Sequence, residues 1–189
     1  MPQLRPLVLA AVLAISLAVP ASGARLVVGS HFGLSYLTSE GFDDLLMIKV
    51  PGGGDVFVPF VQPGLRVGAL DDAGRSGYFA DLGLSVFNAS GETLYGFQIT
   101  GNYTYHFSAD QPTSPFLSGA LGMSVSGDET DSFDQLLYGI GLGMRINVGA
   151  GHGAGRIEAR LDFIDPTDED VELVTSYGLR FGFDLYGGP

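Results

Sequence analysis

Cysteine and tryptophan are absent from the 189 residues, lysine occurs once, and no apolar run after residue 24 is long enough to cross a membrane as a helix. Without cysteine the chain is neither a disulfide-stapled secreted scaffold nor a lipoprotein anchored through an amino-terminal cysteine, so a core or a bilayer must supply its stability. Lacking a run of about 20 apolar residues, it is not a helical membrane protein. Sustained apolar spacing at three and four residues is missing too, which removes amphipathic helices from the reading. Net charge is −12, from 21 acidic against 9 basic residues, a balance that repels nucleic acid and anionic sugars.

What is present begins with an export signal. Met1 to Arg5 carries the only early positive charge, Pro6 to Pro20 is almost unbroken Leu, Val, Ala and Ile, and Ala21-Ser22-Gly23-Ala24 offers a cleavage site after Gly23 or Ala24. The reading is a cleaved signal peptide over 1–24 and one domain of about 165 residues over 25–189. Mean hydropathy is positive despite the net charge. Apolar and charged residues must therefore be segregated along the chain.

That segregation has a period of two. From Leu136 to Val148, bulky apolar residues (Leu136, Tyr138, Ile140, Leu142, Met144, Ile146, Val148) alternate with Gly139, Gly141, Gly143, Arg145 and Asn147. A strand sends successive side chains to opposite faces, so one face is continuously apolar and the other small or polar. The next segment sets Ile157, Ala159, Leu161 and Phe163 against Arg156, Glu158, Arg160 and Asp162, and Leu173 to Leu185 alternates in the same way. Weaker alternation covers Val28 to Tyr36, Phe57 to Ala69, Tyr78 to Val86, Leu94 to Phe107 and Pro115 to Val125, with Pro59 and Pro63 interrupting the second. Eight such segments predict an all-β protein: one closed antiparallel transmembrane barrel of eight strands in an up-and-down meander, apolar faces outward.

The connections fall into two classes. Thr38 to Gly54, Asn88 to Gly91, Ser126 to Asp134 and Asp165 to Val171 carry most of the acidic residues and are expected to face out of the cell. Leu70 to Ser76, Ser108 to Ser114 and Gly149 to Gly153 are compact, with Gly, Pro, Asp and Ser suited to tight turns.

With this pattern the mature chain resembles the OmpA-like family of small outer-membrane barrels. The most specific local piece is Ser176-Tyr177-Gly178-Leu179-Arg180-Phe181-Gly182-Phe183, which is similar to the carboxy-terminal signal read by the barrel-assembly machinery. Ser176 takes its polar position, Gly178 its glycine, and Phe181 and Phe183 its two hydrophobic positions. The chain departs from the family in running on through Asp184 to Pro189, with Tyr186 the nearest substitute for a terminal aromatic residue. Tyr and Phe alone must also form the interfacial aromatic girdles.

The resemblance implies a barrel that begins and ends in the periplasm, sits as a monomer in the outer membrane of a Gram-negative-type bacterium, is surrounded by outer-membrane lipid, and meets periplasmic chaperones and the assembly machinery during biogenesis. It implies no cofactor. With no peptidoglycan-binding domain following, the anchoring role of longer relatives is not expected.

The candidate functional residues are those on the inner face. His31 and the charged set Arg66, Asp81, Arg145, Arg156, Glu158, Arg160, Asp162, Arg180 and Asp184 point inward, five Arg against four carboxylates. An eight-stranded barrel is just wide enough for side chains to fill. Near-balanced charges therefore read as a plug of salt bridges in a closed lumen, for a non-enzymatic protein serving envelope integrity or surface interaction.

A narrow porin-like passage would require those charges to separate across a wet path. A barrel-embedded lipid-modifying enzyme would need a nucleophile and an oriented base. His106 and Ser108 share a face, but the nearest acid, Asp110, lies in the following turn, so they read as a rim histidine and a turn serine. His152 sits between glycines without companion ligands. The acidic runs Asp128 to Asp131 and Asp165 to Asp170 read as solvated charge, since neither has calcium-loop spacing. Glycines 139, 141 and 143 lack the following helix that a phosphate-binding turn needs. A soluble ligand-binding barrel with the faces reversed is the remaining alternative, opposed by the assembly signal and the large apolar area.

Overall fold

The computed structural model describes residues 24–39, 42–49, 64–89, 92–127, 132–166 and 173–187. Residues 1–23, Pro59 and Pro63, and the acidic stretches 128–131 and 167–172 lie outside them. The described residues form one antiparallel sheet: β1 (Arg25–Ser39), β2 (Phe42–Lys49), β3 (Leu65–Leu70), β4 (Ser76–Ala89), β5 (Glu92–His106), β6 (Thr113–Gly127), β7 (Ser132–Val148), β8 (Gly153–Pro166) and β9 (Val174–Gly187).

The sheet closes because β9 pairs with β1 along Leu26 to Thr38. That pairing occupies one edge of β1, so β2 and β3 must share the other. They do so at different heights, β2 opposite Gly33 to Ser39 and β3 opposite Arg25 to Ser30. The two pieces thus fill one strand position, and the barrel has eight positions around its wall.

Of the expected second strand, Phe57 to Ala69, residues 57–63 lie outside the described residues, and the described part is strand from Leu65, running on to Leu70. The expected first outer connection, Thr38 to Gly54, instead contains a strand, Phe42–Lys49. Ser126 to Asp134 is also partly ladder, since Gly127 pairs with Ser132. Long two-residue alternation lets backbone pairing continue past the positions where composition turns polar.

The register fixes the barrel's dimensions. Following the ladder from Tyr36 to Tyr177, Leu161, Ile140, Gly119, Tyr103, Tyr78 and Ala69 returns to β1 at Leu26, ten residues below the start. An even shear keeps inward and outward residues in phase around the closure. Eight positions sheared by ten residues give a strand tilt of about 40° and a backbone radius of about 8 Å, using ordinary strand spacings. A cylinder that narrow has room for side chains and little else.

Both ends of the barrel domain, Arg25 and Gly187, lie at the end that carries the turns of residues 71–75, 107–112 and 149–152. Asp71 organises the first of these, its carboxylate accepting the amides of Arg75 (2.7 Å) and Ser76 (3.1 Å) while Gly74 takes φ +66°. In the third, Gly149 and Gly151 also have positive φ, and the amide of Tyr186 donates to the carbonyl of His152 (2.9 Å).

Bulky apolar residues cover the outside. Ile140 and Leu142 are about 60% exposed (60% and 61%), in company with Leu26, Phe32, Leu117, Ile157, Leu179 and Leu185. Aromatic rings gather toward both ends of this surface: Tyr78 against Tyr103 and Tyr105 against Phe107 near the turns, Tyr138 against Phe163 nearer the other end. Phe32 and Phe181 stack across the β1–β9 closure at 5.3 Å.

Candidate functional site: the lumen

Inside the barrel the side chains form three layers. Toward the loop end Leu37, Ile164 and Val174 pack together with Leu137 against them. Toward the turn end Val27, Leu70 and Phe79 form a second cluster, joined by Tyr186. Most charged residues lie between, while Arg145, Arg156 and Asp184 stand beside the turn-end cluster. Apolar caps of this kind were not expected from the alternation, which read the inner face as small or polar. The missed signal is parity, since Phe79 has the phase of Asp81, and Phe116 that of Ser114 and Ser118. Tyr186 likewise faces inward, so it does not stand in for an outward terminal aromatic residue.

The charged layer is a connected chain. Asp81, fully buried on β4, receives two hydrogen bonds from Arg66 on β3, Nε to Oδ1 at 2.7 Å and Nη2 to Oδ2 at 2.9 Å, and a third from Asn102 Nδ2 on β5 at 3.0 Å. The fork-on-carboxylate geometry is the strong form of an ion pair. Arg66 also lies over the ring of Phe79, 4.8 Å from its centroid. Arg180 on β9 bridges onward, Nη1 to Asp81 Oδ2 at 3.6 Å and Nη2 to Asp162 Oδ2 at 3.9 Å. Arg160 binds Asp162 through Nε (3.1 Å to each oxygen) and Nη2 (2.5 Å), and Glu158 through Nη1 at 3.2 Å. Ser118 donates to the same Glu158 oxygen, Oε1. A separate pair joins Arg156 Nε and Nη2 to Asp184, at 2.5 and 3.1 Å.

Four of the five inward arginines are thus engaged by the four carboxylates. Arg145 is the exception: its guanidinium donates to the carbonyls of Ala109 (3.2 Å) and Gly74 (3.5 Å), in two different turns, and reaches no carboxylate among the described residues.

Glycine makes these contacts possible. Across each ladder the large inner side chains lie against glycines on the neighbouring strand: Asp162 against Gly139, Glu158 against Gly141, Phe116 against Gly143, Arg156 against Gly182, Asp184 against Gly29. A Cβ at Gly143 would lie 2.5 Å from the Ile157 carbonyl oxygen and 2.7 Å from Phe116 Cε1, so any larger residue there displaces the ring or the backbone. The high glycine content is the space that the buried arginines and rings occupy.

Two voids among the described residues are small. One, near His31, Ser35, Arg160 and Arg180, and another, near His106, Arg145 and Tyr186, each offer about 10 Å³ to a water-sized guest. That is near the lower limit for holding a single water molecule. His106 is buried rather than at the rim, its ring 5.3 Å from that of Phe116 and its Nε2 3.4 Å from the Thr104 hydroxyl. Ser108 lies in the turn, its amide donating to Ser114 Oγ. Among the described residues no acid stands behind the imidazole. Among the described residues no three His, Cys, Asp or Glu side chains are grouped to hold a metal. Ser176 and Gly178 face the lumen, while Phe183 is exposed and Phe181 half-buried on the outer wall.

No family model matches the sequence, and no curated protein matches it by sequence. Solved structures do. Neisserial surface protein A superposes with a TM-score of 0.60 at 12% identity, covering 85% of this chain and 96% of its own. The amino-terminal β-barrel domain of Pseudomonas aeruginosa OprF gives 0.41 at 15% identity, covering 84% and 98%. Ail, the attachment invasion locus protein of Yersinia pestis, gives 0.40 at 12% identity, covering 86% and 99%. With its closed eight-position meander, the chain has the fold of the small outer-membrane barrels of the OmpA-like type that its sequence resembles.

Proposed function

We propose that the protein is a non-enzymatic, monomeric barrel of the outer membrane, with a lumen sealed against solutes and a role in envelope integrity or surface interaction carried by its acidic outer loops. The observation that carries this reading is the inversion of an ordinary soluble domain. Leucine, isoleucine and aromatic side chains cover the outside while Arg66, Arg156, Arg160, Asp81 and Glu158 are buried. Such a surface is stable only against hydrocarbon.

A passage for solutes is disfavoured by the same interior, because opening it means separating several dehydrated ion pairs at once. The export signal over 1–24 and the assembly role of Ser176, Gly178, Phe181 and Phe183 belong to this reading, as do transient chaperone and assembly-machinery partners. Two experiments test it. Cell fractionation with heat-modifiable gel mobility should find the folded chain in the outer membrane. The purified, refolded protein should show no stepwise conductance in planar bilayers; steady single-channel openings would refute the sealed lumen.

A further inference from the structure

One polar residue interrupts the outer face of β1. Leu26, Val28, Phe32, Leu34 and Tyr36 are exposed on that face, and Ser30 shares their parity halfway between Leu26 and Leu34. Its direct partners on the two neighbouring strands, Leu65 and Phe183, are exposed as well. A hydroxyl among such neighbours faces hydrocarbon. With no water to bond, it must find its partner within the wall.

The wall itself is interrupted at the same height. The β1–β3 ladder stops where Ser30 meets Leu65, and the β1–β2 ladder starts where Gly33 meets Lys49, so among the described residues His31 and Phe32 have no strand partner on that edge. Gly64, immediately before β3, gives its amide to the Leu82 carbonyl on β4 at 2.9 Å. Its own carbonyl receives no backbone amide among the described residues; the Ser30 hydroxyl donates to it instead, at 2.6 Å. A backbone carbonyl left bare in a bilayer has no other donor to turn to. Two residues further on stands Arg66, whose fork holds Asp81. The start of β3 therefore also sets the position of an ion pair in the lumen.

We propose that Ser30 is a clasp built into the lipid-facing wall. Its hydroxyl satisfies the Gly64 carbonyl where β3 begins, ties that end of β3 to β1 beside the interruption, and so keeps Arg66 in place against Asp81. The clasp presupposes that β1 faces lipid, as the proposed outer-membrane barrel requires.

Three variants of the protein refolded into lipid vesicles test it. Ser30→Ala should raise the equilibrium constant for unfolding about tenfold, the effect of leaving one carbonyl without its donor. Ser30→Thr keeps the hydroxyl and should stay close to the native chain, whereas Ser30→Val, with the shape of threonine but no hydroxyl, should match Ser30→Ala. A hydroxyl with no such role predicts the opposite sign, because alanine and valine sit more comfortably in hydrocarbon than serine does. Hydrogen exchange locates the effect: in Ser30→Ala the amides of β3 should exchange faster, while those of β9, on the other edge of β1, keep their native protection. Failure of Ser30→Ala to fold while Ser30→Thr folds would support the clasp in the same way. Ser30→Ala as stable as the native chain, Ser30→Thr as weak as Ser30→Ala, or protection lost equally from β3 and β9 would overturn it with the barrel still in the membrane. A spin label at Val28 reporting bulk water would overturn the membrane placement, and the clasp with it.

Discussion

Asp81 is the residue on which the lumen network is most exposed to perturbation. Replacing it by asparagine preserves shape but removes the charge that faces Arg66 at 2.7 and 2.9 Å and Arg180 at 3.6 Å. Arg66 would then be a buried cation with one acceptor and an aromatic face. Breaking a buried pair from one side costs about 3–5 kcal/mol, and the retained amide oxygen together with the Phe79 ring should hold the loss near the lower figure. The expected result is a destabilisation of about 3 kcal/mol. It would be read from urea titrations of the protein folded in lipid vesicles, followed by far-ultraviolet dichroism because the chain has no tryptophan.

The reasoning makes a second demand. Arg66→Met combined with Asp81→Leu removes both charges, so the double variant should recover to within about 1 kcal/mol of the native chain. Asn102 Nδ2 keeps its bond to the Thr100 carbonyl at 3.1 Å and is not left unpaired. A single change costing less than about 1 kcal/mol, or a double variant no better than the single one, would show that the pair is wet and the lumen open.

Asp162→Asn should cost about 1 kcal/mol or less in the same titration, because its side chain is 26% exposed and Arg160 keeps Glu158 at 3.2 Å. Gly68→Ala should prevent folding or destabilise by more than about 2 kcal/mol, since a Cβ there meets the Tyr78 carbonyl and lies 2.7 Å from Phe79 Cα. Gly119→Ala, with nothing within 4 Å, should be neutral; equal effects at the two sites in a gel-shift folding assay would contradict the register. Asp71→Ala should lose about 1 kcal/mol as two turn amides lose their acceptor, visible as a lower unfolding midpoint. Spin labels at Ile140 and Leu161 should show the oxygen accessibility of acyl chains, and labels reporting bulk water would end the membrane reading.

Much of this architecture is legible in the chain. A strand of period two has only two faces, so the alternation in Leu136 to Val148 and Arg156 to Phe163 already says which side chains share a wall. An even shear then carries that sorting around the whole barrel without contradiction. The compact turns near Leu70, Ser108 and Gly149 were equally readable from their Gly, Pro and Asp content. The second strand position was not, because it is set by pairing with β1, and β2 and β3 find that partner at different heights along it.

Nor could spacing assign partners within the lumen. Which carboxylate meets which guanidinium depends on register and closure: Arg66 and Asp81 are direct partners across the β3–β4 ladder, Arg156 on β8 reaches Asp184 on β9, and Arg180 on β9 reaches Asp81 on β4 across the barrel. The sequence by itself determined the sorting of residues to inside and outside, because that follows from the local geometry of each strand. Only the tertiary structure decided that four arginines find carboxylates and Arg145 does not, because counting charges on a face says nothing about how far apart closure leaves them.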